Sequence, residues 1–418
     1  MATALVAPGV AAEDTAPDTD PLVDFTHEPG TEAEPAGLDW IAVPLDEAEI
    51  PSRRFELTGW SGGFAFLERP QGPGAKRHAA WTSADGRSWT KTLLPAAVKE
   101  PFWLEPYRDG LVLASEQRRG YRAHDIKMDF WRSADGVDWR LAGSLEAEVP
   151  RSTPDLALWP MALFPLDERM TLLGILRDRW ASGGRVGDAV EFVASGRGAP
   201  VPKDVARVWT SRGGAAWRER ALTGLADSRG ELHVETEFAS PDAAWVVRTG
   251  AERALLRSPD GIRWEPAAPI PEHFEEGGQA DMLWAADGLL LLGDNADREG
   301  NEGCGNRLGV WRLDEDVASW TEVLDRQPAF VNGAAAEGDW VVLTGRSWCP
   351  GDWAWTLISR DGGRSWDPDL SWVGDYGTCL GQVAIHDGNV VVFGCGKATE
   401  DGPLAWVAFF PPDPEPNA

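Results

Sequence analysis

The chain is short of the residues that most metal and redox chemistry draws on, with 4 Cys, 6 His, 5 Met and 3 Tyr among 418 residues. Its few Cys and His show no C-x-x-C or paired-His spacing, which excludes a zinc ribbon or finger, and no cofactor is expected. Basic residues are also scarce: 39 Lys+Arg stand against 67 Asp+Glu, for a net charge of -28. A chain this acidic is a poor partner for a phosphate backbone or an anionic membrane. No apolar run approaches the roughly 20 residues of a membrane-spanning helix. The Gly-Gly pairs fall in turns, so there is no phosphate-binding loop.

Tryptophan, glycine and proline are abundant, at 23, 46 and 31. An apolar content of 43% is enough for a large core. Length alone suggests two or three domains, since single cores seldom exceed about 250–300 residues. The tryptophans show otherwise, because they mark an internal repeat. Trp81-Thr-Ser-Ala-Asp-Gly-Arg-Ser-Trp89 returns as Trp131-Arg-Ser-Ala-Asp-Gly-Val-Asp-Trp139. It returns again at Trp209–Trp217, Leu256–Trp264, Trp311–Trp320 and Ser359–Trp366, the fifth copy without its Ser and the third without its Asp. The closing tryptophans are spaced by 50, 78, 47, 56 and 46 residues, the long step holding a Gly-rich insertion at about 177–206. A short apolar run precedes each copy, often behind an Asp-Gly turn such as Asp109-Gly110 or Asp287-Gly288. Each unit therefore reads as four antiparallel strands, a to d, with the repeated turn between c and d. A seventh unit starts at Cys379 and lacks a fourth strand, while Leu38–Leu45 reads as a spare one. The expectation is one all-β seven-bladed propeller over 37–411, its ring closed by the N-terminal strand, with an acidic tail at 1–36 and a short tail at 412–418. Ring closure of this kind shelters sheet edges.

The repeated turn resembles the Asp-box, or BNR repeat, of sialidase-like β-propellers, over residues from about 38 to 410. The matching positions are Ser83, Asp85, Gly86 and Trp89; Ser133, Asp135, Gly136 and Trp139; Ser258, Asp260, Gly261 and Trp264; and Ser359, Asp361, Gly362 and Trp366. Ser and Asp oxygens can accept backbone N–H groups within the turn, Gly supplies positive φ, and Trp covers the blade end. Because two copies have lost a polar member, these sets read as structural staples and not as a repeated ligand site. The resemblance implies that the staples lie opposite the functional face, which would be built from b–c loops and d–a connections. Candidate ligand contacts there are Trp103, Tyr107, Tyr121, Trp180, Trp348, Trp353, Trp372 and Asp375.

In sialidases three arginines bind the substrate carboxylate and a Tyr nucleophile is activated by a Glu. Counterparts here would be Tyr376, Glu235 or Glu237, and three of Arg53, Arg54, Arg248 and Arg346, although Ser52-Arg53-Arg54-Phe55 departs from the family's Arg-Ile-Pro motif. The preferred reading is a non-catalytic, monomeric binder of a glycan or protein. A glycoside hydrolase on the same face is the alternative. A third is an assembly factor acting through its shape, some of which use an arginine patch. Asp297 and Glu299 alternate before a Gly as in a calcium loop, but Asn306 stands where a bidentate Glu is needed. Cys304, Cys349, Cys379 and Cys395 could pair in three ways. Ala4–Ala12 resembles the end of a signal peptide, and 13–36 reads as a disordered linker, so an extracellular or periplasmic, surface-tethered protein is expected.

Overall fold

The computed structural model describes residues 38, 40–43, 56–68, 77–117, 126–147, 156–166, 169–178, 206–228, 234–240, 242–249, 252–274, 280–295, 307–314, 319–328, 330–347, 353–367, 372–376, 380–394 and 405–410. They form seven four-stranded antiparallel sheets. Blade one is Thr58–Trp60, Gly63–Glu68, Ala79–Ser83 and Thr90–Leu93; blade two is Glu100–Tyr107, Gly110–Glu116, Ile126–Ser133 and Arg140–Ala147. Blade three is Leu156–Leu166, Arg169–Asp178, Ala206–Arg212 and Arg218–Arg220; blade four is Val234–Ala239, Ala244–Arg248, Ala254–Ser258 and Glu265–Ala268. Blade five is Asp281–Ala285, Gly288–Asn295, Arg307–Asp314 and Thr321–Pro328; blade six is Phe330–Glu337, Trp340–Ser347, Trp353–Ser359 and Trp372–Tyr376. Blade seven takes Leu380–His386, Asn389–Gly394 and Ala405–Phe409 as strands a to c, and its outer strand is Ile41–Val43, which pairs antiparallel with Ala405–Val407.

A lone twisted sheet has two apolar faces, and here each face is buried against a neighbouring blade. Seven apolar clusters result, one at each seam. The seam between blades seven and one is typical, with Phe66 and Phe393 rings 4.9 Å apart and Val391, Val407 and Trp81 around them. The middle of strand b, packed on both faces, is apolar in blades two and five: Leu111–Ala114 and Leu289–Leu292 are at most 1% exposed.

The Asp-box turns have the geometry their residue types require. Asp135 Oδ1 accepts the N–H groups of Val137 and Asp138 at 2.9 and 2.8 Å, and also the Ser133 hydroxyl at 2.9 Å. Trp139 Nε1 donates to the Gly136 carbonyl at 3.0 Å, and Gly136 has φ 70°. The same turn recurs at Asp85, Asp260 and Asp361. Each glycine also faces the preceding blade: a Cβ on Gly136 would collide with Thr82 of blade one. Across the seam of blades three and four, Thr171 Oγ1 donates to the Asp260 carbonyl at 3.1 Å. In the fifth blade, whose repeat lacks Ser, the fully buried Arg312 replaces the staple. Its guanidinium holds Asp287 and Asp314 at 2.6 Å each and donates to the carbonyl of Gly362 in blade six.

Some expected positions change. Trp103 and Tyr107 belong to strand a of blade two, not to a d–a loop, because that strand runs eight residues. Trp353 and Trp372 likewise lie within strands, c and d of blade six. The four cysteines, the calcium-like loop with Asp297 and Glu299, the insertion at 179–205, Arg53, Arg54, Tyr121, Trp180 and Trp348 lie outside the described residues. Among the described residues, no helix is long and apolar enough to cross a membrane.

Candidate functional site

Strand a of every blade runs along the central channel, entering from the d–a side and leaving at the a–b turn. The a–b and c–d turns share one face, so the Asp-boxes surround that mouth of the channel. A recess of about 1090 Å³ opens there across blades two, three and four. Its walls are the last residues of three inner strands (Pro106 and Tyr107, Pro165 and Leu166, Ala239) together with Arg108, Arg169, Arg212, Ser240, Asp242 and the Asp-box of blade four. Four arginines thus line one cavity in a chain of net charge -28.

Their partners divide them. Arg263 is held by Asp260 of its own turn at 3.0 Å, and Asp242 is taken by Arg257 at 3.0 Å. Arg169 and Arg212 are exposed cross-strand partners on strands b and c of blade three and form no ion pair with a described residue. Tyr107 lies between Arg108 and Arg132, whose guanidinium carbons stand 5.4 and 5.1 Å from its ring centre. It is 2% exposed, and its buried hydroxyl has no hydrogen-bond partner among the described residues. Such an orphaned hydroxyl is costly unless a ligand or ordered water completes it. A recess lined by two guanidiniums that have no ion-pair partner among the described residues is suited to an anion.

Deeper in the channel the charge changes sign. Glu105 lies two residues from the end of strand a in blade two, and Glu237 holds the same place in blade four. Burial pushes the Glu105 pKa up to about 8, helped by the charges of Glu56 and Glu237. Burial also raises Glu237 to about 7, with Asp281 adding to it, and lifts Asp281 to about 6. Blades two and four are not neighbours, so Glu105 and Glu237 feel each other across the channel. Among the described residues, no three His, Cys, Asp or Glu side chains group closely enough to hold a metal ion.

The sequence-derived candidates scatter over this frame. Tyr107 is at the Asp-box mouth, opposite the expected face. Trp103 is half-buried on strand a of blade two, packed against the seam with blade three. Tyr376 pairs with Trp353 at the b–c end of blade six and, with Asp375 and Trp372, belongs to the outermost strand. Glu235 and Glu237 are on the innermost strand of blade four. Three strand spacings, roughly 14 Å, separate an outer strand from an inner one, so a Tyr376–Glu pair is not brought together. Arg248 is 7% exposed and donates to the carbonyls of Glu252, Ala226 and Leu225, which leaves it a structural part of blade four. Arg346, half-buried, ends strand b of blade six beside Phe330 and Ala354. Sequence reasoning missed Arg169 and Arg212. The available signal was the departure of blade three from the repeat: Arg212 stands where Ala84, Ala134 and Pro259 stand in other copies.

No family model and no curated protein matches the chain. Among solved structures it is similar to YCF48 bound to a D1 peptide, at 12% identity and a TM-score of 0.51, covering 92% of this chain and 97% of that one. YCF48 from Cyanidioschyzon merolae matches at 12% identity and a TM-score of 0.45, over 88% and 98% of the two chains. An alpha-L-arabinanase from Penicillium chrysogenum, complexed with arabinobiose, matches at 11% identity and a TM-score of 0.41, over 88% and 96%. At these identities the likeness is one of fold alone.

Proposed function

We propose that this protein is a non-catalytic binding propeller that captures an acid-bearing segment of a partner protein at the Asp-box mouth of its channel. One observation carries the reading: Arg169 and Arg212 face the same recess with no ion-pair partner among the described residues. In an acidic chain, unneutralised arginines concentrated at one cavity are a selective feature. The structural relative bound to a D1 peptide is compatible with peptide capture on such a scaffold. The reading moves the ligand from the b–c and d–a face to the opposite one. The test is titration of a fluorescent acidic peptide. Replacing both arginines (Arg169→Ala with Arg212→Ala) should weaken binding at least tenfold, about 1.4 kcal/mol, and raised salt should weaken the wild type. Unchanged affinity in the double variant would sink the proposal.

A second reading is a glycoside hydrolase worked from the b–c and d–a face. It is favoured by Glu105 and Glu237, since a carboxyl kept protonated near neutral pH can serve as a general acid. Turnover of chromogenic glycosides, abolished by Glu237→Gln, would establish it. Two structural proposals accompany these. Ile41–Val43 latches the ring by completing blade seven, and Cys379 is disulfide-bonded to Cys395, because their neighbours Leu380 and Gly394 are cross-strand partners. Non-reducing peptide mapping would reject that disulfide if both thiols were alkylated without prior reduction. Export, which rests on Ala4–Ala12 and the linker at 13–36, is rejected if the protein stays with the cytoplasmic fraction.

A further inference from the structure

The recess and the channel behind it carry opposite charges on the same strands. Tyr107 and Ala239 line the recess, and Glu105 and Glu237 lie two residues further along those strands, roughly 7 Å deeper at 3.3 Å per residue. The strand between them, Leu156–Leu166, has no titratable side chain to neutralise either one. The other acidic groups near them add negative charge: Glu56 and Asp281, from blades one and five. Blade one's inner strand, Thr58–Trp60, brings no charge, and the basic group of blade four's strand b, Arg248, is occupied by its own loop. Arg108, Arg169 and Arg212 stay at the rim.

We infer that the occupant is a dipolar extended peptide, with a carboxylate held by Arg169 and Arg212 at the rim and an amine or guanidinium two to three residues away placed between Glu105 and Glu237. This deepens the acid-binding reading and rests on it. Three features point to a ligand with both charges. Arg169 and Arg212 have no ion-pair partner among the described residues, the Tyr107 side chain lines the same wall, and the charged groups acting on Glu105 and Glu237 are other carboxylates. An extended chain covers the rim-to-throat distance in two to three residues. A purely anionic ligand would meet like charge as it descended, and a purely cationic one would meet arginines at the mouth.

Because Glu105 and Glu237 have pKa values raised to about 8 and 7, a cation between them should displace protons as it binds. The probes are acetyl-Lys-Ala-Ala-Asp with a free C-terminus, the same peptide with norleucine for lysine, and an oligogalacturonate as an acidic glycan. Calorimetry at pH 6.5 in two buffers of different ionisation enthalpy reads affinity and proton release together. The lysine peptide should bind at least tenfold tighter than the norleucine peptide and release protons, whereas the norleucine peptide should release none. Glu105→Gln with Glu237→Gln should erase the difference between the two peptides. Equal affinities in the wild type, or binding of the lysine peptide without proton release, would overturn the dipolar ligand while leaving the acid-binding reading standing. Failure of both peptides to bind would overturn both readings, and binding of the oligogalacturonate alone would overturn the peptide class.

Discussion

Aspartate and glutamate play opposite parts in this molecule, depending on what surrounds each carboxyl group. At Asp135 the backbone N–H groups of Asp138 and Val137 hold the pKa below its usual value. At Asp85, Asp260 and Asp361 burial opposes ionisation, but turn hydrogen bonds outweigh it and those pKa values are lowered too. A lowered pKa contributes stability that is present above the unfolded value, roughly 4 for Asp, and lost as pH falls through the folded value. Glu105, Glu237 and Asp281, raised to about 8, 7 and 6, act in the other direction. Their contribution is complete below the unfolded values of roughly 4 and disappears as pH rises through 6 to 8. Thermal melting followed from pH 3 to 9 should therefore peak between about pH 4.5 and 6. Glu105→Gln with Glu237→Gln should flatten the alkaline limb, which separates these groups from general repulsion in a chain of charge -28. A maximum above pH 8 would contradict the assignment. The Asp-box carboxylates were legible in the sequence because each finds its partners within three or four residues. The channel carboxylates were not, because Glu105 and Glu237 meet only after the blade between them has folded.

At the scale of the element, the Asp-box joins blades as well as closing a turn. Asp135→Ala leaves two backbone N–H groups without their acceptor and should cost about 1–2 kcal/mol in chemical denaturation, mostly in the unfolding midpoint. Blade five carries the same load differently. Arg312 is buried, but its partners Asp287 and Asp314 are largely exposed, so removal strands no buried charge. Arg312→Met should then cost about 2–3 kcal/mol, through lost hydrogen bonds to the carbonyls of Ala285 and Gly362 and loss of the ion pairs. A loss below roughly 0.5 kcal/mol would mean that this seam does not need the clasp. The degenerate Trp311–Trp320 turn showed that something was missing from blade five, but only the fold showed what replaced it. Strand lengths were the least legible feature. Glu100–Tyr107 alternates weakly and contains two prolines, so its length was hidden and Tyr107 was assigned to the wrong mouth.

Across the whole molecule, the tryptophan repeat encoded the architecture because every blade solves the same packing problem, and seven seams share the core. Trp60 and Trp284, which lie outside the Asp-box positions, sit on inner strands, the first buried and the second stacked on Trp245. Blade seven depends on residues remote in sequence, so deletion of residues 1–44 should expose the edge at Ala405–Phe409. Lower thermal stability and concentration-dependent aggregation are expected, seen by light scattering during melting. Unchanged melting and a clean monomer would remove the latch from the account. Function was less legible than fold, since the recess gathers residues from three blades and its decisive arginines lie in the blade that departs most from the repeat.

Capture of an acidic peptide at the Asp-box mouth is the proposal on which the other binding predictions depend. A crystal structure with acetyl-Lys-Ala-Ala-Asp bound tests it most directly. The peptide carboxylate is expected within about 4 Å of Arg169 and Arg212, with the lysine directed toward Glu105 and Glu237. Peptide density on the opposite face, among the b–c loops, with the recess empty, would contradict it.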